Sequence, residues 1–223
     1  RGAGCDYHRI FLPYKYLGID LDKYDGKKFE QFAKDTRAII YNRTCKSNLY
    51  AYIAYRARYG FKIIVDLDDF WTLYPKHSLY NHWVKNKVGE DIVNNLMNAD
   101  AITVTTALLA DQVKKIAPKV PVYVLPNALP FNKEQFNSFK TESKDIRFIY
   151  TGGDSHFWDI QQLKVPFSKI NADSSLNAQF KLAGYHPDHP KTWNAMESSF
   201  SLNGKLKGYK RLNFKPLSVY MDL

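Results

Sequence analysis

The sequence contains only two cysteines, Cys5 and Cys45, and neither lies near a cluster of histidines. This spacing predicts neither a disulfide scaffold nor a zinc site, and it favours a reducing, cytoplasmic compartment. No apolar run approaches the roughly 20 residues of a membrane-spanning helix, and no segment resembles a signal peptide. Internal repeats and low-complexity segments are also missing. We therefore expect a cytoplasmic globular protein without a membrane span.

The composition is that of an ordinary globular chain with a strongly basic balance. Its 223 residues are 45% hydrophobic and 24% charged, which suffices for one large domain or two small ones. The net charge is +10, and lysines and arginines are spread along the whole length. Such a charge fits either a solvated surface or a field that attracts nucleotide diphosphates, nucleic acid or an anionic membrane face.

Strand-like and helix-like segments alternate along the chain. Apolar, β-branched runs predict strands at 38–41, 61–66, 101–105, 120–125, 146–150 and 180–183, with helical patterns between most of them. This alternation predicts βαβ units and parallel sheets in an α/β fold. A segment rich in Asn, Pro, Lys and Ser interrupts the alternation. We therefore predict an N-terminal domain at 1–127, a linker at 128–145 and a second domain at 146–223.

Gly152 and Gly153 follow the predicted strand at 146–150 and precede a predicted helix. A strand that ends at two glycines and continues as a helix is expected to leave free backbone N–H groups for an anionic ligand. The alternative is a tight turn in which glycine supplies a positive φ and nothing binds. His156 and Asp159 are spaced i and i+3, which predicts one shared helix face.

Three carboxylates, Asp66, Asp68 and Asp69, lie at the carboxyl end of the predicted strand at 61–66. Crowded carboxylates need water, a cation or a hydroxylated ligand to be stable. The segment therefore fits a solvated capping loop, a site for sugar hydroxyls with Phe70 and Trp71 as stacking surfaces, or a divalent-metal site through Asp-x-Asp. His77 is close enough along the chain to join either functional site.

The first residues, RGAGCDYHRI, contain Gly2 and Gly4 in a Gly-x-Gly pattern. This spacing predicts a loop whose backbone turns sharply or approaches a ligand closely. His8 and Arg9 follow directly, and as an isolated pair they are interpreted as surface residues.

Taken together, five motifs resemble a known enzyme family. They are GAGCDYHRIFLP at 2–13, VDLDDFW at 65–71, ADAITVTTALLA at 99–110, VYVLPNAL at 122–129 and IYTGGDSHFWDI at 149–160. In this order they resemble the GT-B glycosyltransferases, nearest to the retaining, family 4-like (group 1) enzymes of bacteria and phages. The resemblance implies an α/β fold of two Rossmann-like parallel-sheet domains.

The resemblance also implies roles for particular residues. Donor phosphates would be bound by Gly2, Gly4, Arg9, Gly152 and Gly153. The catalytic residues would be Asp66, Asp68, Asp69 and His156, and the acceptor side would include His8, Trp71, His77 and Asn127. GT-B enzymes generally need no metal, so the resemblance implies no cofactor beyond the nucleotide-sugar co-substrate.

The implied partners are a nucleotide sugar and a glycan or lipid-linked acceptor, with contact to an anionic inner-membrane face. Such enzymes usually carry a pair of glutamates eight residues apart in the second domain, but Glu197 is the only glutamate after residue 145. The chain begins without Met and stops on an apolar run, so we expect the second domain to be truncated. Two alternatives stay open: a phage-type nucleic-acid glucosyltransferase and an inactive glycosyltransferase-like binding or structural module.

Overall fold

The computed structural model describes residues 4–22, 24, 28–127, 142–198 and 209–213. The chain divides into two compact units. The first contains Arg1–Leu73 and Asn81–Pro130, and the second contains Tyr74–Tyr80 and Phe131–Leu223. The short segment Tyr74–Tyr80 therefore belongs to the second unit although the residues on both sides of it belong to the first.

The first unit contains a four-stranded parallel sheet in the order β1-β2-β3-β4. Its strands are β1 (Ala38–Asn42), β2 (Lys62–Leu67), β3 (Ala101–Val104) and β4 (Val122–Val124). Parallel neighbours need a crossover connection, and helices supply each of them. These helices are α4 (Leu49–Tyr59) after β1, α5 (Tyr80–Lys85) and α6 (Val88–Met97) after β2, and α7 (Ala107–Ile116) after β3.

The N-terminal part of this unit is helical. It consists of α1 (Gly4–Asp6), a π-helical turn (Tyr7–Phe11), α2 (Leu12–Tyr16) and α3 (Phe29–Asp35). The Gly-x-Gly loop expected here is wrong at Gly4, which begins α1, and Gly2 lies outside the described residues.

Local sequence signals explain where two helices of the first unit begin and end. Gly60 adopts φ 77° and its N–H donates to the Arg56 carbonyl, so it stops α4. The Thr106 side chain accepts from the Leu109 N–H and starts α7. Along β2 the buried residues cover both faces, as its mostly apolar sequence predicts. The core of this unit includes Ile63, Val65, Leu67, Ile92, Leu96, Ile102, Val104 and Val113.

The second unit contains a three-stranded parallel sheet in the order β5-β6-β7. Its strands are β5 (Ile146–Thr151), β6 (Ala178–Tyr185) and β7 (Tyr209–Asn213). A short 3-10 turn (Asp154–His156) leads into α8 (Phe157–Gln161), followed by α9 (Lys164–Ala172) and α10 (Pro190–Ser198). The core of this unit is formed by Ile160, Phe167, Phe180, Leu182, Trp193 and Met196.

The predicted fold class, α/β with two Rossmann-like parallel-sheet units, is confirmed. Strand β7 was not predicted, because YKRLN carries two adjacent basic residues and lacks the apolar bias of the predicted strands. The predicted linker at 128–145 falls mostly outside the described residues, and the domain boundaries stay predictions. Within the described part of the chain, no helix combines the length and hydrophobicity needed to cross a bilayer.

Candidate functional site

The registers of three neighbouring strands place polar side chains side by side at the carboxyl edge of the first sheet. Asn42 of β1 pairs with Asp66 of β2, and Asp66 pairs with Thr103 of β3. Asn42 Nδ2 donates to Asp66 Oδ2 at 3.1 Å, and Thr103 Oγ1 donates to Asp66 Oδ1 at 2.7 Å. In open α/β sheets, this edge is where ligands bind.

Arg9 forms a buried ion pair with Asp66. The guanidinium donates from Nη2 to Oδ1 at 2.7 Å and from Nε to Oδ2 at 3.2 Å, a bidentate geometry. The side chains are 3% and 1% exposed. Arg9 was interpreted from sequence as a surface residue, and this is wrong, because its guanidinium is needed to neutralise a carboxylate inside the protein.

The same guanidinium also reaches the end of β4. Its Nη1 donates to the Leu125 carbonyl and to Asn127 Oδ1, the latter at 3.2 Å. One side chain thus joins three motifs that are far apart in sequence: the N-terminal helical segment, the acidic end of β2 and the Pro-Asn segment after β4.

These contacts bear on the roles that the resemblance implied for Asp66 and Arg9. Both Asp66 oxygens accept hydrogen bonds, and Arg9 directs its donors at protein groups. The geometry therefore favours positioning roles, in which the pair holds the surrounding loops. Their assignment to catalysis and to donor phosphates stays a prediction.

Asp68 forms the second ion pair of the site, with Arg43. Arg43 Nε and Nη2 donate to its two carboxylate oxygens at 2.8 and 3.1 Å. Burial raises the pKa of Asp68, but hydrogen bonds from Arg43, Cys5 and Asn42 outweigh burial and lower this pKa to about 2. Burial, helped by the bond to Asp68, raises the pKa of the Cys5 thiol to about 11. Asp68 is therefore ionised and Cys5 is a neutral thiol at pH 7.

Asp69 differs from the other two carboxylates because it faces solvent. Its side chain is 73% exposed and accepts from Arg43 Nη2 at 2.6 Å. Of the three acidic residues, Asp69 is thus the one whose carboxylate an external hydroxyl can reach. This geometry does not test the catalytic roles predicted for the three aspartates, and those roles stay predictions.

Phe70 and Trp71 lie next to Asp69; the Phe70 ring is exposed, whereas Trp71 is partly buried against the core. Their rings stack with centroids 4.2 Å apart. The Trp71 carbonyl accepts from Trp83 Nε1 at 3.0 Å, and a Cβ on Gly89 would lie only 2.7 Å from that carbonyl oxygen. This close approach fixes the backbone of Trp71, so the loop presents its aromatic rings from a defined position.

The two predicted acceptor-side histidines lie in different units. His8 is in the π-helical turn of the first unit, with its ring centroid 5.3 Å from that of Tyr7. His77 is in the segment Tyr74–Tyr80 of the second unit, where its Nδ1 accepts from the Leu79 N–H. Asn127 contacts Arg9, as described above. The acceptor roles of these residues and of Trp71 stay predictions.

In the second unit, Gly152 is packed rather than open. Its N–H donates to the Ala183 carbonyl at 3.2 Å, so the expectation of a free N–H is wrong at this residue. Neither Gly152 nor Gly153 has a positive φ, which also excludes the alternative turn. The left-handed residue is instead Gly184, with φ 113°, where a Cβ would lie 2.3 Å from the Gly152 carbonyl oxygen. Phosphate binding by Gly152 and Gly153 stays a prediction.

His156 and Asp159 form the contact that their spacing predicts. His156 Nδ1 lies 2.8 Å from Asp159 Oδ2, and both side chains are about half exposed. The carboxylate fixes the orientation of the imidazole and leaves its other nitrogen available.

Sequence reasoning missed Asn42, Arg43, Thr103 and Asn95, a buried residue of α6. Polar residues at the ends of β1 and β3 were the available signal, since parallel strands bring their carboxyl ends to one edge. Within the described residues, no three His, Cys, Asp or Glu side chains are placed to hold a metal ion.

No protein-family model and no curated protein matches the chain. Among solved structures, it is similar to a trehalose-6-phosphate synthase whose structure belongs to work on glycosyltransfer with retention. The TM-score is 0.42 and the identity is 10%, over 95% of this chain and 60% of that chain. The chain thus spans about 60% of the length of that protein. Its own strand order and registers establish its fold class.

Proposed function

We propose that the protein is a glycosyltransferase that moves a sugar from a nucleotide-sugar donor to a hydroxyl of a glycan or lipid-linked acceptor. The observation that carries the proposal is the set of contacts made by Arg9. This residue joins three of the motifs that resemble GT-B enzymes at the carboxyl edge of one sheet. Burying an ion pair at that edge has a desolvation free-energy cost. A role in holding ligand-binding loops in place explains why the pair is there despite that cost.

The acceptor side in this proposal is formed by the loop after β2. Asp69 offers an exposed carboxylate that can accept a hydrogen bond from a sugar hydroxyl. The exposed ring of Phe70, stacked on Trp71, offers an apolar surface to a pyranose ring. Arg43 holds Asp68 and Asp69 together, so the acceptor hydroxyl would meet a carboxylate in a fixed orientation.

The donor side in this proposal is the second unit. His156, oriented by Asp159, would donate a hydrogen bond to a diphosphate oxygen as negative charge develops on the leaving group. Donor base, transferred sugar, metal independence and family 4-like character belong to this proposal. So do a cytoplasmic location and contact with an anionic membrane face, which the net charge of +10 supports.

A thermal-shift screen tests donor binding. The chain is heated with UDP, GDP, CDP and their common sugar conjugates, and a ligand that binds the folded state raises the midpoint. We expect one nucleotide to raise it. A flat result with all of them contradicts the proposal and favours the inactive binding module. A salt-dependent affinity for duplex DNA would instead favour the nucleic-acid glucosyltransferase.

Variants at the exposed carboxylates test the acceptor side. We expect Asp69→Asn to lower transfer at limiting acceptor by about a hundredfold or more, because an amide accepts a hydroxyl proton poorly. The nucleotide-induced thermal shift should stay unchanged. Glu90→Gln is the matched control, since Glu90 is also an exposed carboxylate in an ion pair, with Lys87. Equal transfer rates in the two variants would exclude Asp69 from the site.

A further inference from the structure

The turn that follows β1 has an unusual backbone. Arg43 and Lys46 adopt φ 61° and φ 53°, the left-handed region that residues with a Cβ enter rarely. Two such residues within one turn persist only where the surrounding contacts hold them. The Arg43 N–H donates to the Asp66 carbonyl at 2.8 Å, and the Lys46 N–H donates to Thr44 Oγ1 at 2.9 Å.

Asn95 of α6 supplies most of the remaining contacts to this turn. Its side chain is 1% exposed. Oδ1 accepts from the Tyr41 hydroxyl at 2.8 Å, from the Cys45 N–H at 3.3 Å and from Cys45 Sγ at 3.1 Å. Burial raises the pKa of the Tyr41 phenol and of the Cys45 thiol, so both groups carry the protons that they donate.

The amide nitrogen of Asn95 completes the network. Nδ2 donates to Thr44 Oγ1 at 3.1 Å and to the Asp91 carbonyl at 2.7 Å. The Asp91 carbonyl can only accept and the Cys45 N–H can only donate, so the orientation of the carboxamide is determined. Only the bond to Asp91 lies within α6. The others all reach residues 41–45, so the hydrogen bonds that satisfy this buried carboxamide also tie α6 to the turn.

We propose that Asn95 is a positioning residue that holds the left-handed turn after β1 so that Arg43 meets Asp68 and Asp69. Through this turn, a residue on α6 determines the geometry of the carboxylates at the carboxyl edge of the sheet. The catalytic consequence rests on the proposed function, but the structural effect does not. It is measurable on the protein without any substrate.

The test compares Asn95→Leu with Asn94→Leu. The two residues are neighbours on α6, but Asn94 is exposed, so the control makes the same uncharged change outside the network. The first readout is the titration of the Asp68 carboxyl by NMR. Because Arg43 lowers the pKa of Asp68, we expect loosening of the turn to raise that pKa from about 2 by a unit or more.

The second readout is the alkylation rate of Cys45, separated from Cys5 by peptide mass spectrometry. We expect Asn95→Leu to raise the rate about tenfold, because local opening exposes the thiol. Asn94→Leu should change neither readout. Asn95→Ala removes the same carboxamide without adding the bulk of leucine, and it decides the question if Asn95→Leu does not fold.

An unchanged Asp68 titration in folded Asn95→Leu or in Asn95→Ala overturns the proposal, even where Cys45 becomes reactive. In that case Asn95 would support the turn without placing Arg43. A raised Asp68 pKa supports the proposal whether or not any nucleotide binds. Failure of the positioning role and failure of the transferase assignment are therefore distinguishable.

Discussion

Replacing Arg9 by methionine removes the guanidinium from the Asp66 ion pair while keeping most of the side-chain stem. Asp66 then stays fully buried, with Asn42 and Thr103 as its remaining side-chain donors. Neither of these two groups carries a charge. The substitution thus leaves the carboxyl group of Asp66 inside the protein without its counterion.

Breaking a buried ion pair by removing one partner costs about 3–5 kcal/mol, since the other charge remains desolvated. Arg9 and Asp66 are 3% and 1% exposed, so little solvent screening reduces this figure. A domain has about 5–15 kcal/mol of stability in all, so we expect Arg9→Met to remove a large part of it. The double variant Arg9→Met/Asp66→Asn should lose less, because no unpaired charge stays buried.

The assay is urea-dependent hydrogen exchange of the amides in β2 and β3, which reports on the first unit alone. Arg58→Met is the matched control. Arg58 pairs with Glu30 on the surface, where both side chains are largely exposed, and its loss should leave the unfolding free energy close to that of the original protein. Equal losses in Arg9→Met and Arg58→Met would refute the reasoning, as would a double variant less stable than Arg9→Met.

Two further predictions concern single residues. Asp68 has a folded-state pKa of about 2 against an ordinary value of 3.8, so its contribution of about 2 kcal/mol is present above pH 4 and is lost as the pH falls toward 2. Urea titrations at pH 7, 4 and 3 should show a smaller acid-induced loss in Asp68→Asn, and an equal loss would contradict this linkage. Gly184→Ala should destabilise the second unit far more than Gly60→Ala destabilises the first. Both positions have positive φ, but only at Gly184 would a Cβ lie 2.3 Å from a backbone oxygen, that of Gly152. Exchange protection of each unit measures the difference, and similar losses would show that the Gly152 backbone moves aside easily.

The local sequence pattern was enough to predict most of the helices and strands, but it was not enough to predict the contacts of the candidate site. The strands near residues 38, 61, 101 and 146 were predicted because apolar, β-branched or aromatic residues prevail in each. Gly60, at the end of α4, is the residue type that a helix stop with positive φ favours. Gly60 ends its helix because it adopts a positive φ, and a glycine in the sequence is a local signal for that conformation. The packing of Gly152 against the end of β6 does not, because it depends on a residue more than thirty positions away.

The sequence by itself determined that this protein alternates strands and helices, and it directed attention to Asp66, Asp68 and Asp69 at a strand end. Tertiary structure decided what each carboxylate does. Asp66 is buried in an ion pair with Arg9, which lies 57 residues away along the chain. Asp68 forms an ion pair with Arg43, and of the three carboxylates Asp69 is the one that faces solvent. Hydrophobic periodicity reports which face of an element is buried. Strand register and long-range pairing decide which charges meet there, and no local pattern encodes them.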